Sequence, residues 1–396
     1  MKYNFDELVE RRGTDSVKVD GVKFFFGRDD LMPLWVADMD FRTPPFVLEA
    51  VEQRNRKGVL GYTFAPREWK KSVVSWLNLR FGWEVEKPWI QNVPGVVPGM
   101  ALALLCYTKP GDAVLIQPPV YHPFFEIVEH NGRLLRQNPL VFDGENYVVD
   151  FEDFEKKVKG CKVFLLCNPH NPGGRVWSKA ELEKMAEICA RNHVLVFSDE
   201  IHADMYHKPY RHTPFASVSS LAAENSVTFM SATKSFNMPA LALAYTVIPN
   251  EKVRGQLLSF LDGLHLSFGN SYAFEALMAA YTEVGRDWLE QMLSYVYATM
   301  DFMQHYFETE IPLIRMVRPQ TSFLVWLDCR ALELSQSDLR SLFEEDAHLA
   351  LNDGTMFGKE GSGFMRMNVA APRVRIEEAL LRLKGAVDKR FPKGVR

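Results

Sequence analysis

The sequence predicts an α/β protein: a large domain with a mostly parallel sheet flanked by helices, and a smaller α+β domain. The first observation is length, because 396 residues, 47% of them hydrophobic, exceed what one compact core usually holds. The second is the alternation of short apolar runs with amphipathic stretches, which is typical of a parallel sheet covered on both faces. The third is a change of pattern near residue 285. We therefore expect a large domain over residues 46–285 and a small one over 1–45 and 286–396.

The middle of the chain contains four apolar runs with the length and composition of buried strands. They are Ala113–Gln117, Lys162–Cys167, Val194–Ser198 and Val227–Met230. Between the second and third runs, Ser178–Asn192 has helical apolar spacing, and Ser178 with Glu181 has the spacing of a capping box. The last third predicts two helices and a half-buried strand, at Trp288–Glu308, Ile376–Arg390 and Ser322–Asp328.

Composition excludes several classes of protein. The formal net charge is −4, from 46 basic and 50 acidic residues, so we expect no nucleic-acid or anionic-lipid partner. Five cysteines without a CxxC pair argue against a disulfide framework or a structural metal site. Residues 1–12 lack the apolar core of a signal peptide, and the most apolar stretch, 238–249, is too short to span a bilayer. We expect a soluble cytoplasmic protein.

Two loops that follow predicted strands carry polar groups, at the end of a sheet where α/β proteins bind ligands. Residues 168–174 (NPHNPGG) form a tight, non-helical turn, in which Asn171 can donate to a ligand oxygen. The same composition is equally typical of a turn without a ligand. Asp199 ends a buried strand, where a carboxylate is costly unless it meets a cation such as a protonated pyridine nitrogen. A helix-capping aspartate is the alternative, and on this residue alone the commoner one.

Lys234 follows the next strand in the hydroxyl-rich segment Ser-Ala-Thr-Lys-Ser. Its amine can attack an aldehyde, and Ser231 and Thr233 can bind a phosphate, although a lone lysine usually lies at the surface. Residues 94–99 (PGVVPG) precede a helix, and Pro98 suits the first helical position. The N–H groups there would form a natural phosphate site. Together these loops supply the groups that pyridoxal 5′-phosphate (PLP) requires.

The order of these features resembles the fold-type I PLP enzymes, the aspartate aminotransferase-like superfamily. The resemblance implies that Lys234 carries PLP as a Schiff base and that Asp199 faces its ring nitrogen. It also implies that Asn171 faces the phenolic oxygen and that Ser231 binds the phosphate. Arg366, in Gly-Phe-Met-Arg-Met-Asn, is similar to the arginine that binds the substrate carboxylate, a bidentate task that suits a guanidinium. A structural ion pair is the alternative for this arginine.

Residues 33–41 (PLWVADMDF) are close to the signature of the MalY/PatB carbon–sulfur β-lyases, the cystathionine β-lyase and cystalysin group, and the agreement covers essentially the whole chain. The resemblance implies a homodimer in which Tyr62 reaches the neighbouring subunit's cofactor, and a Tyr121 ring stacked on PLP. The alternatives are a turn tyrosine for Tyr62 and a core tyrosine for Tyr121. The other implied cofactor or substrate contacts are Val96, Val97, His202, Thr233, Asn171 and His122.

The resemblance implies a β-elimination on an amino-acid substrate, in which Lys234 removes the Cα proton and a thiolate leaves Cβ, giving pyruvate and ammonia. Two departures from the family bear on the substrate range and not on the cofactor. His122 stands where relatives often have tyrosine, and Met238-Pro239-Ala240 replaces the usual Ile/Leu-Ala-Gly. An aminotransferase on the same scaffold and a PLP-binding regulatory protein are the alternatives. An oxidoreductase is disfavoured because no GxGxxG follows the first strand.

Overall fold

The computed structural model describes residues 3–392. Its strands are β1 Met32–Pro33, β2 Ile90–Val93, β3 Ala113–Ile116, β4 Leu134–Gln137, β5 Val141–Phe142, β6 Tyr147–Val148, β7 Cys161–Cys167, β8 Leu195–Asp199, β9 Ser226–Met230, β10 Ala244–Val247, β11 Arg315–Val317, β12 Leu324–Asp328, β13 Leu349–Ala350, β14 Asn352–Asp353 and β15 Phe364–Asn368. Its α-helices are α1 Val22–Phe26, α2 Pro45–Asn55, α3 Trp69–Phe81, α4 Val96–Tyr107, α5 Pro123–Glu129, α6 Phe151–Lys157, α7 Lys179–Arg191, α8 Ser220–Glu224, α9 Glu251–Gly263, α10 Ser271–Ala280, α11 Glu283–Glu310, α12 Gln336–Ser341 and α13 Arg373–Arg390.

The central sheet has seven strands in the order β2-β10-β9-β8-β7-β3-β4. The five strands from β9 to β4 are parallel to one another, and β10 runs antiparallel to both of its neighbours. The prediction of a mostly parallel sheet is therefore confirmed. Residues of β7, β8 and β9 are almost all buried, since helices cover both faces of the sheet.

Helix α7, which connects β7 to β8, begins at the predicted capping box. The Glu181 N–H donates to Ser178 Oγ at 3.3 Å, and the Ser178 N–H donates to Glu181 Oε2 at 3.0 Å. Two backbone donors that the helix itself cannot satisfy are thus paired. The start of α7 was therefore predictable from two residues.

A second sheet has four antiparallel strands in the order β11-β12-β15-β14. The prediction of a half-buried strand at Ser322–Asp328 is wrong in its exposure, because β12 is an interior strand whose first four residues are all buried. One face of it, including Val325, packs in the largest apolar cluster, and Trp326 on the other face packs in a separate one. The division of the chain at residue 285 stays a prediction.

The parallel register places three loops at one edge of the central sheet. Cys167 at the end of β7 pairs with Asp199 at the end of β8, which pairs with Phe229 in β9. The loops after these strands therefore converge where parallel α/β sheets bind ligands. Among residues 3–392, no helix has the length and apolar character needed to cross a membrane.

Candidate active site

A cavity of about 200 Å³ opens at this edge of the sheet. Eight of the residues singled out in the sequence line it: Val96, Val97, Tyr121, Asn171, Asp199, His202, Thr233 and Lys234. Four others do not line it: Ser231, Arg366, His122 and Tyr62. Residues that are far apart in the chain thus surround one space.

Lys234 extends from the loop after β9, and its Nζ donates to the Ala37 carbonyl oxygen at 2.6 Å. Burial lowers the pKa of its amine to about 8, while the carboxylates of Asp38 and Asp199 oppose this shift. A far larger fraction of this amine than of an ordinary lysine, about a tenth, is therefore unprotonated at neutral pH. An uncharged amine is the form that attacks a carbonyl carbon or accepts a proton.

Asp199 ends β8 with its side chain toward the cavity and is only 4% exposed. Its recorded hydrogen bond comes from the Ile201 N–H to Oδ1, at 3.1 Å. Burial raises the pKa of this carboxyl group to about 7, and Glu200 adds to the shift. A cation placed in the cavity, such as a protonated pyridine nitrogen, would restore the charged form.

Helix α4 presents its N-terminus to the cavity. Val96 and Val97 form its first turn, in which N–H groups have no partner within the helix. Gly95 before them has φ 126°, a backbone conformation that other residues rarely adopt. The prediction that Pro98 occupies the first helical position is wrong, because the helix begins two residues earlier, at Val96.

The predicted phosphate hydroxyls differ in position. Thr233 lines the cavity, whereas Ser231 lies behind it. Ser231 Oγ donates to the Leu243 carbonyl oxygen at 2.6 Å, accepts the Thr233 N–H at 3.0 Å, and is 2.8 Å from Thr233 Oγ1. Ser231 therefore shapes the loop, and Thr233 is the hydroxyl with direct access to a ligand.

Arg366 in β15 does not line the cavity but contacts Asn171, which does. Its Nη1 donates to Asn171 Oδ1 at 3.1 Å and its Nη2 to Asn352 Oδ1 at 2.6 Å, while its Nε has no hydrogen-bond partner among residues 3–392. Its guanidinium also lies 4.7 Å from the centre of the Phe357 ring. Burial lowers its pKa to about 10, yet no carboxylate of residues 3–392 pairs with it. The ion-pair alternative is therefore wrong, and this unpaired cation can bind a ligand carboxylate.

The three aromatic candidates have different surroundings. The Tyr121 ring borders the cavity, and burial raises the pKa of its hydroxyl. His202 also borders it, with Nδ1 3.2 Å from Ser322 Oγ, and burial lowers its pKa to about 3, so its ring is neutral. His122 does not line the cavity, and its ring packs edge-on against Tyr121 and Phe357. Its contact with the substrate stays a prediction.

Three contributors to the site were not among the individual residues predicted from the sequence. The Ala37 carbonyl acts through the backbone, so side-chain chemistry could not mark it. Asn352 and Phe357, which contact Arg366, belong to the glycine-rich stretch 352–363. The family resemblance implies that this stretch is a mobile segment beside the substrate, but it singles out neither residue. The resemblance of residues 33–41 likewise pointed to the segment that contains Ala37 but not to its carbonyl.

Comparisons with known proteins agree with this geometry. The family model "Aminotransferase class I and II" matches residues 29–383. Cystathionine beta-lyase PatB of Bacillus subtilis is 40% identical over 97% of this chain and 100% of its own length. Protein MalY of Escherichia coli is 32% identical over 97% of this chain and 99% of its own. The crystal structure of cystalysin from Treponema denticola, which contains a pyridoxal 5′-phosphate cofactor, has a TM-score of 0.94 and 33% identity, covering 98% and 100% of the two chains.

The chemistry of the cavity fits PLP. The Lys234 amine, with its lowered pKa, suits the aldehyde of PLP, and the unmatched carboxylate of Asp199 suits a protonated ring nitrogen. The first turn of α4 and the Thr233 hydroxyl suit the phosphate. All of these groups border the same space.

Because the Asp199 carboxylate is buried without a salt bridge, we can predict how Asp199→Asn changes the stability of the cofactor-free protein. The folded-state pKa of about 7 lies above the ordinary value of 3.8, so protonation stabilises the fold, and this stabilisation is lost as pH rises between those values. Above about pH 7 the charge costs on the order of 4 kcal/mol. We expect Asp199→Asn to raise the melting temperature at about pH 8 and to change it little at about pH 4.

The neighbouring Glu200 is the matched control, because it is buried but accepts several hydrogen bonds. Glu200→Gln should lower the melting temperature near pH 8, where Asp199→Asn raises it. If cofactor-free Asp199→Asn melted below the wild type at that pH, the charge of Asp199 would not destabilise the fold as predicted.

Proposed function

The chain belongs to the class I and II aminotransferase family, in its PatB- and MalY-like branch of PLP-dependent carbon–sulfur β-lyases, and we propose that it cleaves the Cβ–S bond of cystathionine or related cysteine S-conjugates. The products are pyruvate, ammonia and a thiol. One observation supports this choice within the family: the segment 33–41, typical of these lyases, contributes the Ala37 carbonyl to Lys234 Nζ at 2.6 Å. That segment is therefore part of the site.

Each step assigns a task to a residue of this chain. PLP, when bound, withdraws electrons from the substrate Cα and so makes its proton acidic. Asp199 would hold the ring nitrogen protonated, because a cation beside this buried carboxylate offsets the desolvation that raises its pKa. Arg366 and Asn171 bind the substrate carboxylate and so orient the Cα–H bond. The Lys234 amine takes the Cα proton, and the thiolate then leaves Cβ.

We further infer a homodimer in which Tyr62 contributes to the partner's active site. Tyr62 is fully exposed, and four apolar side chains near it are each more than half exposed: Val59, Leu60, Phe64 and Phe268. The rings of Phe64 and Phe268 are 6.5 Å apart, so this surface is continuous between two segments. An exposed apolar patch favours an interface, and two-fold symmetric pairing of identical chains is the commonest arrangement.

A product assay tests the proposed reaction. Wild-type protein loaded with PLP should release pyruvate from cystathionine without any added keto acid, and Lys234→Ala should lose activity by at least about 10²- to 10⁴-fold, the range of a lost general base. Arg366→Lys keeps the charge but loses the bidentate geometry. It should raise KM about tenfold or more, as the loss of a charged hydrogen bond does. A strict requirement for a keto acid would instead indicate an aminotransferase.

Hybrid dimers test the shared active site. Lys234→Ala and Tyr62→Ala chains with different tags are co-expressed, and the species carrying both tags is purified. One of its two sites then has Lys234 from one chain and Tyr62 from the other, so activity should return relative to either parent. A hybrid no more active than the parents would exclude the proposed contribution of Tyr62, and exposure-matched Phe64→Ala in place of Tyr62→Ala is the control.

A further inference from the structure

Residues 33–41, which we call the strap, form one wall of the cavity at Ala37. Asn368 Nδ2 donates to the carbonyl oxygens of Val36 and Asp38, both at 2.6 Å. The Ala37 carbonyl lies between these two and accepts from Lys234 Nζ, also at 2.6 Å. One side-chain amide thus fixes the peptide groups on both sides of the carbonyl that meets the lysine.

We propose that Asn368 is a positioning residue for Lys234, because it presents the Ala37 carbonyl as the acceptor that holds the lysine amine whenever that amine is free. The amine is free before the cofactor binds and again while it acts on the substrate Cα proton. This inference rests on the role proposed for Lys234. Similarity to carbon–sulfur lyases does not say what the strap does, and the inference gives it a task.

Asn368 is well suited to this task because it is rigidly held. It is buried at the end of β15, its Oδ1 accepts the Ala370 N–H at 2.9 Å, and its own N–H donates to the Leu34 carbonyl at 2.8 Å. Its side-chain nitrogen and oxygen are therefore both paired within the fold. Arg366 lies two residues earlier in the same strand and donates to the Trp35 carbonyl at 3.3 Å. The end of β15 thus positions both the strap and Arg366, the residue predicted to bind the substrate carboxylate.

The strap is also anchored by charge on its other side. Lys18, completely buried, lies 2.9 Å from Asp40 Oδ1 and donates to the Asp38 carbonyl at 3.2 Å. Arg11 pairs with Asp38 at 2.6 Å and with Asp40 at 2.9 Å. Two cations therefore neutralise the two strap carboxylates, so a change in Asn368 alone leaves the strap attached to the protein.

Several charges face Lys234 in addition to the carbonyl. Asp38 in the strap and Asp199 in β8 favour its charged form, while Arg366 in β15 and Lys18 in the N-terminal segment oppose it. His202, which lies near Lys234, is neutral. The Ala37 carbonyl accepts a hydrogen bond more strongly from the ammonium than from the amine, so its displacement should lower the pKa of Lys234.

The test measures how fast the full-length, cofactor-free protein reacts with added PLP as a function of pH, followed by absorbance. The uncharged amine is the reactive form, so the wild-type rate should rise with a midpoint near the pKa of Lys234, about 8. Asn368→Ala should move this midpoint down by about one pH unit, a tenfold change in the protonation equilibrium. In the loaded enzyme, kcat should fall with little change in KM.

Asn237 provides the matched control. Its amide donates to the Met39 and Phe41 carbonyls of the same strap but not to those beside Ala37. Its Oδ1 also accepts the Met39 N–H at 2.9 Å. Asn237→Ala therefore removes three strap hydrogen bonds, one more than Asn368→Ala, and should still leave the midpoint unchanged. Asn368→Ser, which keeps one donor, should give a smaller downward shift and serves in place of Asn368→Ala if that variant fails to fold.

The outcomes separate this inference from the role of Lys234 itself. An unchanged or raised midpoint in folded Asn368→Ala would overturn the positioning role, and so would an equal shift in Asn237→Ala. Lys234→Ala should not react with PLP in this way. If it reacted at the wild-type rate, the assignment of the lysine would be wrong, and with it the proposed function.

Discussion

The site depends on two charged groups, Asp199 and Arg366, that the fold buries without a salt bridge to any other of residues 3–392. The Asp199 side chain accepts the Ile201 N–H, and Arg366 donates to two amide oxygens and a backbone carbonyl. Burying such groups is unfavourable, so the surrounding structure has to supply the stability that keeps them there. The almost fully buried parallel strands and the interior position of β12 and β15 do this. The proposed roles, a protonated PLP nitrogen beside Asp199 and a substrate carboxylate at Arg366, would each place an opposite charge beside a buried one.

Asp199 and Glu200 show how neighbouring carboxylates acquire different tasks. Both are buried at the end of β8, but Glu200 accepts from Ser198 Oγ at 2.8 Å, from the Phe215 N–H at 2.8 Å and lies 2.8 Å from His212 Nε2. Glu200 is thus satisfied within the protein and links β8 to the segment that follows. Asp199, which borders the cavity and accepts only the Ile201 N–H among the described residues, stays available to a ligand.

The fold was largely predictable because its signals are local. Buried parallel strands need continuous apolar runs, and the capping box at Ser178 needs only two residues, so both were visible in the sequence. The exposure of β12 was not, since it depends on two separate clusters that cover its faces. In the site, Lys234 and Asp199 carry distinctive side chains in distinctive loops. The Ala37 carbonyl and the Asn368 amide carry no such signal, because backbone groups and satisfied amides occur throughout any sequence.

The surroundings of Arg366 explain why a substrate carboxylate can bind there. The loop bearing Phe357 is closed by backbone contact: a Cβ at Gly354 would lie 2.1 Å from the Gly361 carbonyl oxygen. The Phe357 carbonyl also accepts the Val120 N–H at 2.8 Å, which fixes the ring against the guanidinium. The face of Arg366 is thus covered by an aromatic ring, and its edge meets neutral oxygens. A carboxylate competes only with these weaker acceptors, so binding energy is retained for orienting the substrate.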